Sequence, residues 1–251
     1  MSAKYDAVVI GTGQSGPSLA ARLVQEGQKV AIVERKLFGG TCVNVGCIPT
    51  KALVASARAA FVTRRAAEFG VILDGPVKVD MQRVKARKDE IVRQSNEGVA
   101  SWLKNMDNLS VFEGHARFAS PTSVRVGDDV LEADRFFINV GARASIPDIP
   151  GLENVEYLTN SSMMDVDFLP EHLIVIGGSY IGLEFGQMYR RFGSRVTIVG
   201  RGDRLIARDD EDVSAAVKEI LENEGVDVRL NASCTSVEMR GNQVALSEET
   251  I

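Results

Sequence analysis

The sequence predicts an α/β fold in which one β–α–β unit is built twice, and three observations carry that prediction. Residues 5–34, YDAVVIGTGQSGPSLAARLVQEGQKVAIVE, read as a buried β-branched strand, a glycine-rich turn, an amphipathic helix with Leu19 and Leu23 on one side, and a second strand ending at Glu34. Residues 171–201, EHLIVIGGSYIGLEFGQMYRRFGSRVTIVGR, repeat the order: strand Leu173 to Ile176, glycines, a helix through Gly186 to Arg191, and strand Arg195 to Val199. The composition allows it, since 251 residues that are 45% hydrophobic and 25% charged hold enough apolar material for one large domain or two modest ones.

The glycines of the first unit carry a physical demand. In Gly11-x-Gly13-x-x-Gly16 the first permits a tight turn, the second lets a pyrophosphate approach the backbone, and the third lets helix pack on strand, with the phosphates at the helix N-terminus. Glu34 lies 18 residues beyond Gly16, at the end of the second strand, where a carboxylate bonds a ribose hydroxyl. The pattern is that of a Rossmann-like dinucleotide-binding domain.

The second copy reads Gly177-x-Ser179-x-x-Gly182, with a serine for the middle glycine. Eighteen residues beyond Gly182 stands Gly200 instead of an acid, followed by Arg201, Arg204 and Arg208. Guanidiniums without a carboxylate suit a 2′-phosphate, so this copy predicts NADPH in preference to NADH. The competing reading is a solvated arginine loop.

Between the units, Thr50 to Glu68 is helix-prone, and Asp80 to Lys104 reads as a second helix with an apolar stripe at Val84, Ile91 and Val99 and an otherwise wet, charged face. Two β-rich stretches follow, LSVFEGHARFASPTSVRV and FFINVGARASIPDIPG. Pro147, Pro150 and Gly151 mark a boundary, giving domains 1–150 and 151–251. No short repeat or low-complexity segment stands out.

Residues 39–51, GGTCVNVGCIPTK, place Cys42 and Cys47 five positions apart. In a regular helix their Cα atoms would be about 8–9 Å apart, too far for a disulfide, so a bridge requires an irregular turn of the kind Asn44, Gly46 and Pro49 favour. As a staple, so short a loop would contribute only about 2 kcal/mol. As a metal clip it lacks partners at ligand spacing, Cys234, His115 and His172 being isolated, so no metal is predicted. A dithiol beside a helix start, able to exchange with a substrate disulfide, is the reading favoured here.

A net charge of −5 without any long basic run gives no footprint for nucleic acid or an anionic membrane, and no apolar run stands out as approaching the length of a spanning helix. The N-terminus has no signal-peptide pattern, so a cytoplasmic protein acting on a small molecule is expected.

GGTCVNVGCIPTK, following a dinucleotide fingerprint and its acid, closely resembles the redox segment of the FAD-dependent pyridine nucleotide-disulfide oxidoreductases, the family of dihydrolipoamide dehydrogenase, glutathione reductase and mercuric reductase. INVGARASIPDIPG resembles that family's second flavin motif and includes Gly141. The resemblance covers essentially the whole chain. It implies that Gly11, Gly13, Gly16 and Glu34 hold the adenosine half of FAD, that Gly40 and Thr41 lie along the pyrophosphate and flavin, and that the backbone at His115 and Ala116 meets the adenine. It further implies that Cys42 is the interchange thiol, alkylating ahead of Cys47, which stacks on the flavin. Lys51 and Glu184 match an ion pair near the reactive flavin nitrogen, Tyr180 the aromatic over the nicotinamide, and Gly177, Ser179, Gly182 and Arg201 the NADPH site. Glu184 also reads as an ordinary first-turn acid, Tyr180 as a packing aromatic and Cys234 as an inert thiol.

Members of that family are much longer. The returning part of the flavin domain and the C-terminal dimerisation domain, with its His-Glu acid-base pair, have no match here, and neither His115 nor His172 replaces that histidine. The chain is therefore read as C-terminally truncated, with little activity unaided and a homodimer expected only of a full-length form. Ala21 stands where glutathione reductases carry a glutathione-contacting arginine, and the substrate expectation is mercuric reductase-like. The competing class is a catalytically incompetent nucleotide-binding remnant.

Overall fold

The computed structural model describes residues 2–241 and 243–250. It divides into two compact units, Met1–Pro49 with Lys88–Arg143 and Thr50–Arg87 with Ala144–Ile251. The break at 143/144 falls a little before the expected 150/151. The excursion Thr50–Arg87 groups with the second unit, which a linear division cannot capture.

Chain order in the first unit begins with β1 (Ser2–Tyr5), β2 (Ala7–Ile10), α1 (Ser15–Gln25), β3 (Val30–Glu34) and the short α2 (Gly40–Asn44). Helix α3 (Cys47–Arg64) and helix α4 (Met81–Lys104) each run across the dividing points. Strands β4 (Leu109–Glu113), β5 (Ala116–Ser120), β6 (Ser123–Val126), β7 (Asp129–Ala133) and β8 (Phe136–Ile138) complete it. A parallel sheet in the order β4-β3-β2-β8 lies at its centre. Because β2 and β3 are covered on both sides, they are runs of small and β-branched residues without polar alternation. Ala7, Val9, Val30 and Ile32 pack against Ala20 and Leu23 of α1 and Leu103 of α4. Val8, Ala31 and Val33 pack against Val124, Val126, Leu131 and Ala133 of a second sheet, β1-β7-β6-β5.

The apolar stripe on α4 is present, with Val84, Ile91 and Val99 half-buried, yet the charged face is not uniformly wet. Lys88 lies on the same stripe and is 4% exposed, its Nζ paired with the Asp89 carboxylate. The β-rich reading of 136–151 also needs correction: strand structure stops at Ile138 and the rest is irregular. Pro147 and Pro150 deny it two ladder donors.

The second unit holds β9 (His172–Ile176), α5 (Tyr180–Phe192), β10 (Arg195–Val199), α6 (Glu211–Asn223), β11 (Asp227–Arg229), β12 (Ala232–Arg240) and β13 (Gln243–Thr250). Strands β11-β10-β9 form a parallel sheet, and β12-β13 an antiparallel ribbon. Leu183, Phe185, Met188, Tyr189 and Phe192 bury one face of α5, and Gly186 stands where a Cβ would meet Ile198 Cδ1 at 3.2 Å. Burial pushes the Tyr189 phenol up to about 12. Arg191 pairs with Glu224 at 2.5 Å where both are largely buried.

One stretch, Gly40–Arg64, meets the length and hydropathy of a membrane span, with mean hydropathy 1.3, contrary to the expectation that none does. It is interrupted between α2 and α3 and carries Lys51, Arg58 and Arg64. Arg64 donates to the carbonyls of Arg191 and Phe192, which ties the end of this helix to the end of α5.

Candidate active site

The first fingerprint is a backbone cradle. Gly11 has φ +107°, and a Cβ there would lie 2.2 Å from the Asn139 carbonyl oxygen. A Cβ on Gly16 would lie 2.1 Å from the Gly11 oxygen, so helix α1 approaches the strand end as closely as backbones allow. Gly13 faces the Asn139 amide on one side, and a Cβ on Gly40 would strike the Gly13 Cα at 2.7 Å, which brings the redox segment against the cradle.

Glu34 is held by bonds within the chain. Its Oε2 accepts from Thr12 N at 3.0 Å and Thr12 Oγ1 at 2.6 Å, and its Oε1 accepts from Lys36 N at 2.9 Å. The Thr12 hydroxyl in turn accepts from Gly39 N at 3.2 Å. Thr12 is fully buried and thus links the acid, the glycine turn and the redox segment. A carboxylate has about four acceptor directions, so capacity remains toward solvent.

A cleft of about 400 Å³ opens beside this cradle, lined by Gly11, Glu34, Gly114, His115, Asn139 and Gly141 among others. His115 is exposed and Ala116 half-buried at the start of β5. Gly141 has φ +67°, which a side chain would resist. Asn139 Nδ2 is a buried donor with no partner among the described residues. Such a group calls for an acceptor from a ligand. The glycine cradle, the acid at the strand end and this donor fit a dinucleotide such as FAD.

The cysteine segment is the irregular turn its spacing demands. Helix α2 ends at Asn44, Val45 leaves helical geometry at φ −140°, and α3 starts at Cys47. A Cβ on Gly46 would lie 2.9 Å from the Thr41 oxygen and 3.2 Å from the Cys42 Cα, so the break folds back onto the residues before Cys42. Cys47 is near enough to act on the Cys42 thiol. All three cysteines are free thiols here. Two asparagines brace the segment: Asn44 Nδ2 donates to the Phe38 and Gly40 carbonyls at 2.8 Å, and Asn96 Nδ2 donates to the Phe38 carbonyl at 2.7 Å and to Asn44 Oδ1 at 3.0 Å. Cys234 is half-buried on β12, its thiol also pushed up by burial.

Accessibility in the chain alone favours Cys47, whereas the resemblance implies that Cys42 leads. Cys42 is half-buried and its thiol is pushed up, first by burial and then by the Cys47 contact, whereas Cys47 is exposed. The thiolate is the nucleophile, so the reduced chain without flavin should alkylate at Cys47 before Cys42, and added FAD should slow Cys47 selectively. A timed iodoacetamide series read by peptide mapping checks this; Cys42 leading without FAD would refute it.

In the second unit, Gly177 has φ +117° and donates its N–H to the Val199 carbonyl at 2.8 Å, as Gly11 donates to Val33 at 2.7 Å. Gly182 packs toward the Gly177 oxygen as Gly16 does toward Gly11. Ser179 is the extended residue before α5, and its hydroxyl does not cap the helix. Arg201 is exposed beside Gly200, while Arg204 is engaged by Glu211 at 3.0 Å. Lys51 Nζ and Glu184 form an ion pair. Tyr180, Leu183, Glu184, Ile206 and Ile220 line a further cleft of about 350 Å³. His172 Nε2 bonds Thr197 Oγ1 at 2.9 Å on the paired strand, and burial pulls its imidazole down, so it is a structural histidine. Among the described residues no group of three or more His, Cys, Asp or Glu is arranged to hold a metal ion.

Sequence reading missed Thr12, Asn96 and Asn139. Thr12 sits inside the fingerprint at a variable position, and only its burial and bonds single it out.

The profile of the pyridine nucleotide-disulphide oxidoreductase family matches residues 5–251. A probable pyridine nucleotide-disulfide oxidoreductase, RclA, of Escherichia coli is 35% identical over 98% of this chain and 53% of its own length. A mercuric reductase of Lysinibacillus sphaericus is 33% identical over 94% of this chain and 43% of its own. The solved Cu(II) complex of the HOCl-induced flavoprotein disulfide reductase RclA from Escherichia coli superposes with a TM-score of 0.85 at 34% identity, covering 99% of this chain and 54% of that one. The chain thus spans about half the length of these relatives. With the paired cysteines on a broken helix and two glycine cradles on parallel sheets, the match over nearly every residue means that the chain belongs to the pyridine nucleotide-disulphide oxidoreductase family, enzymes that work with FAD and a nicotinamide nucleotide.

Proposed function

We propose that this chain takes an electron pair from NADPH and delivers it to the Cys42–Cys47 disulfide, and from there to a disulfide or metal-ion substrate, mercuric ion being the lead. The observation that carries the reading is the helix break at Gly46, which folds the chain back on Cys42 between the two cysteines. In this reading residues 1–150 supply the flavin-binding part and 151–251 the nicotinamide-nucleotide part. Gly11, Gly13, Gly16, Gly40 and Asn139 would hold the FAD diphosphate, and Glu34, His115, Ala116 and Gly141 the adenosine side. Bound FAD would supply the two-electron relay between nicotinamide and disulfide.

The chain's own chemistry balances simply. Two electrons and two protons convert the Cys42–Cys47 disulfide to two thiols. Cys42 as thiolate attacks a substrate disulfide, forming a mixed disulfide and releasing one substrate thiol; Cys47 then attacks Cys42, restoring the internal disulfide and releasing the second. Lys51, one turn beyond Cys47 on α3, carries a positive charge that Glu184 orients. The proposed setting is the reducing cytoplasm, with a small-molecule partner and neither nucleic acid nor membrane, and a homodimer is proposed for a longer form alone.

The test reconstitutes the oxidised chain with FAD and counts thiols before and after NADPH without oxygen. Two new thiols should appear, mapping to Cys42 and Cys47, and NADH should be the poorer donor. Arg201→Glu should weaken NADPH by about tenfold or more, the scale of a lost charge-assisted bond, while sparing NADH. Flavin retention without new thiols would favour the nucleotide-binding remnant, and equal use of NADH by the unaltered chain would overturn the NADPH assignment.

A further inference from the structure

Thr12 stands between Gly11 and Gly13, fully buried, and its hydroxyl has two partners of opposite kind. It donates to Glu34 Oε2 at 2.6 Å and accepts from Gly39 N at 3.2 Å. A carboxylate only accepts and a backbone N–H only donates, so the direction of the O–H bond is fixed and the two roles cannot be exchanged. Through the first bond, with Thr12 N on the same oxygen at 3.0 Å and Lys36 N on Oε1 at 2.9 Å, the Glu34 carboxylate is held in place by the chain itself. Through the second, the N–H of the buried Gly39 finds its acceptor. Gly39 in turn lies tight against α2: its φ is +86°, and a Cβ there would stand 2.4 Å from Val43 Cγ2. Val43 is buried and directly follows Cys42. One hydroxyl thus bears on both the acid at the end of β3 and the short helix that carries Cys42.

We propose that Thr12 is a positioning residue for two places at once: it presents Glu34 to the adenosine end of the flavin nucleotide, and it places Cys42 for closure with Cys47. The proposal rests on the flavin reading of this cradle and goes beyond it by assigning both placements to a residue that is buried behind the cleft and is not part of its lining. Valine at position 12 has the same shape without the hydroxyl. It withdraws one donor from Glu34 and leaves that carboxylate on two backbone N–H groups. It also turns a methyl group toward the Gly39 N–H, and a buried donor without an acceptor costs enough that the segment shifts to regain one. Because Gly39 and Val43 have no slack between them, that shift reaches α2 and Cys42. Serine keeps the hydroxyl and loses only the methyl.

Thr12→Val and Thr12→Ser are compared with the unaltered chain in two assays, neither of which needs turnover. In an FAD titration read by flavin fluorescence, Thr12→Val should bind about tenfold more weakly, the scale of a hydrogen bond to a charged group, and Thr12→Ser should stay close to the unaltered chain. Closure of the Cys42–Cys47 disulfide without FAD, driven by oxidised dithiothreitol that takes up the two thiol hydrogens, should slow by about tenfold in Thr12→Val, part of the roughly 10²-fold that a 1 Å displacement costs. Thr12→Ser should close at the unaltered rate. A purely structural hydroxyl would lower the melting temperature of Thr12→Val and leave both readings on the folded protein unchanged, which would overturn the proposal. A change in one reading without the other would also overturn it, as would equal losses in Thr12→Ser. Amide exchange at Gly39 decides independently of whether Thr12→Val folds: protection in the unaltered chain and in Thr12→Ser supports the bond, and exchange at the rate of an open loop overturns it. An unaltered chain that binds no FAD overturns the flavin reading itself, whatever the closure rates.

Discussion

Gly11→Ala should destabilise the protein by about 4 kcal/mol or more and abolish flavin binding, an effect far beyond that of an ordinary glycine substitution. Two costs coincide. The φ of +107° lies where an L side chain is strained, and the added Cβ would sit 2.2 Å from the Asn139 carbonyl oxygen. Neither backbone is free to retreat, because Gly11 N bonds the Val33 carbonyl at 2.7 Å and Asn139 N bonds the Ile10 carbonyl at 2.8 Å, each fastened to a central strand. Gly27→Ala is the control: its φ of +77° carries conformational strain of about 1–2 kcal/mol, but no atom lies within 4 Å of the new Cβ. Urea unfolding of both variants, with flavin binding followed by fluorescence, reads the difference. Similar losses for the two would mean that the close approach at Asn139 is not what makes glycine necessary at position 11.

How much of this was legible beforehand follows from the range of the interactions. The two β–α–β units were readable because strand, turn and helix each leave a local pattern, and β2, α1, β3 and then β9, α5, β10 lie where those patterns place them. The break between Cys42 and Cys47 was readable as well, since i and i+5 on a continuous helix cannot meet. What the sequence could not show is partner choice over distance. Asn96 braces Asn44 across 52 positions, and Thr12 binds Glu34 across 22, with no periodicity marking either. Lys88 misled for a related reason: composition predicts a wet lysine, whereas packing of α4 buries it beside Asp89. The unequal burial of the two cysteines was likewise invisible, because it depends on packing rather than on motif.

Gly46→Ala should leave the fold intact and disable the cysteine pair. The residue has no positive φ to protect, and it lies in the short break between α2 and α3, outside both central sheets. Its added Cβ would stand 2.9 Å from the Thr41 oxygen and 3.2 Å from the Cys42 Cα, both backbone atoms, so the chain must open by several tenths of an ångström there. That opening falls in the break between the Cys42 and Cys47 backbones. A disulfide tolerates little error in Cα and Cβ separation, and an intramolecular reaction displaced by about 1 Å loses on the order of 10²-fold in rate. Disulfide closure in Gly46→Ala, started with oxidised dithiothreitol and followed by mass as the loss of two hydrogens, should therefore slow by about that factor, with mixed disulfides to the reagent accumulating at Cys47, the more exposed thiol. The melting temperature should move only slightly, since Asn44 and Asn96 continue to hold Phe38 and Gly40 from the other side. Closure at the unaltered rate would show that the turn is compliant enough to absorb a methyl group, and that glycine at this position serves something other than bringing the two thiols together.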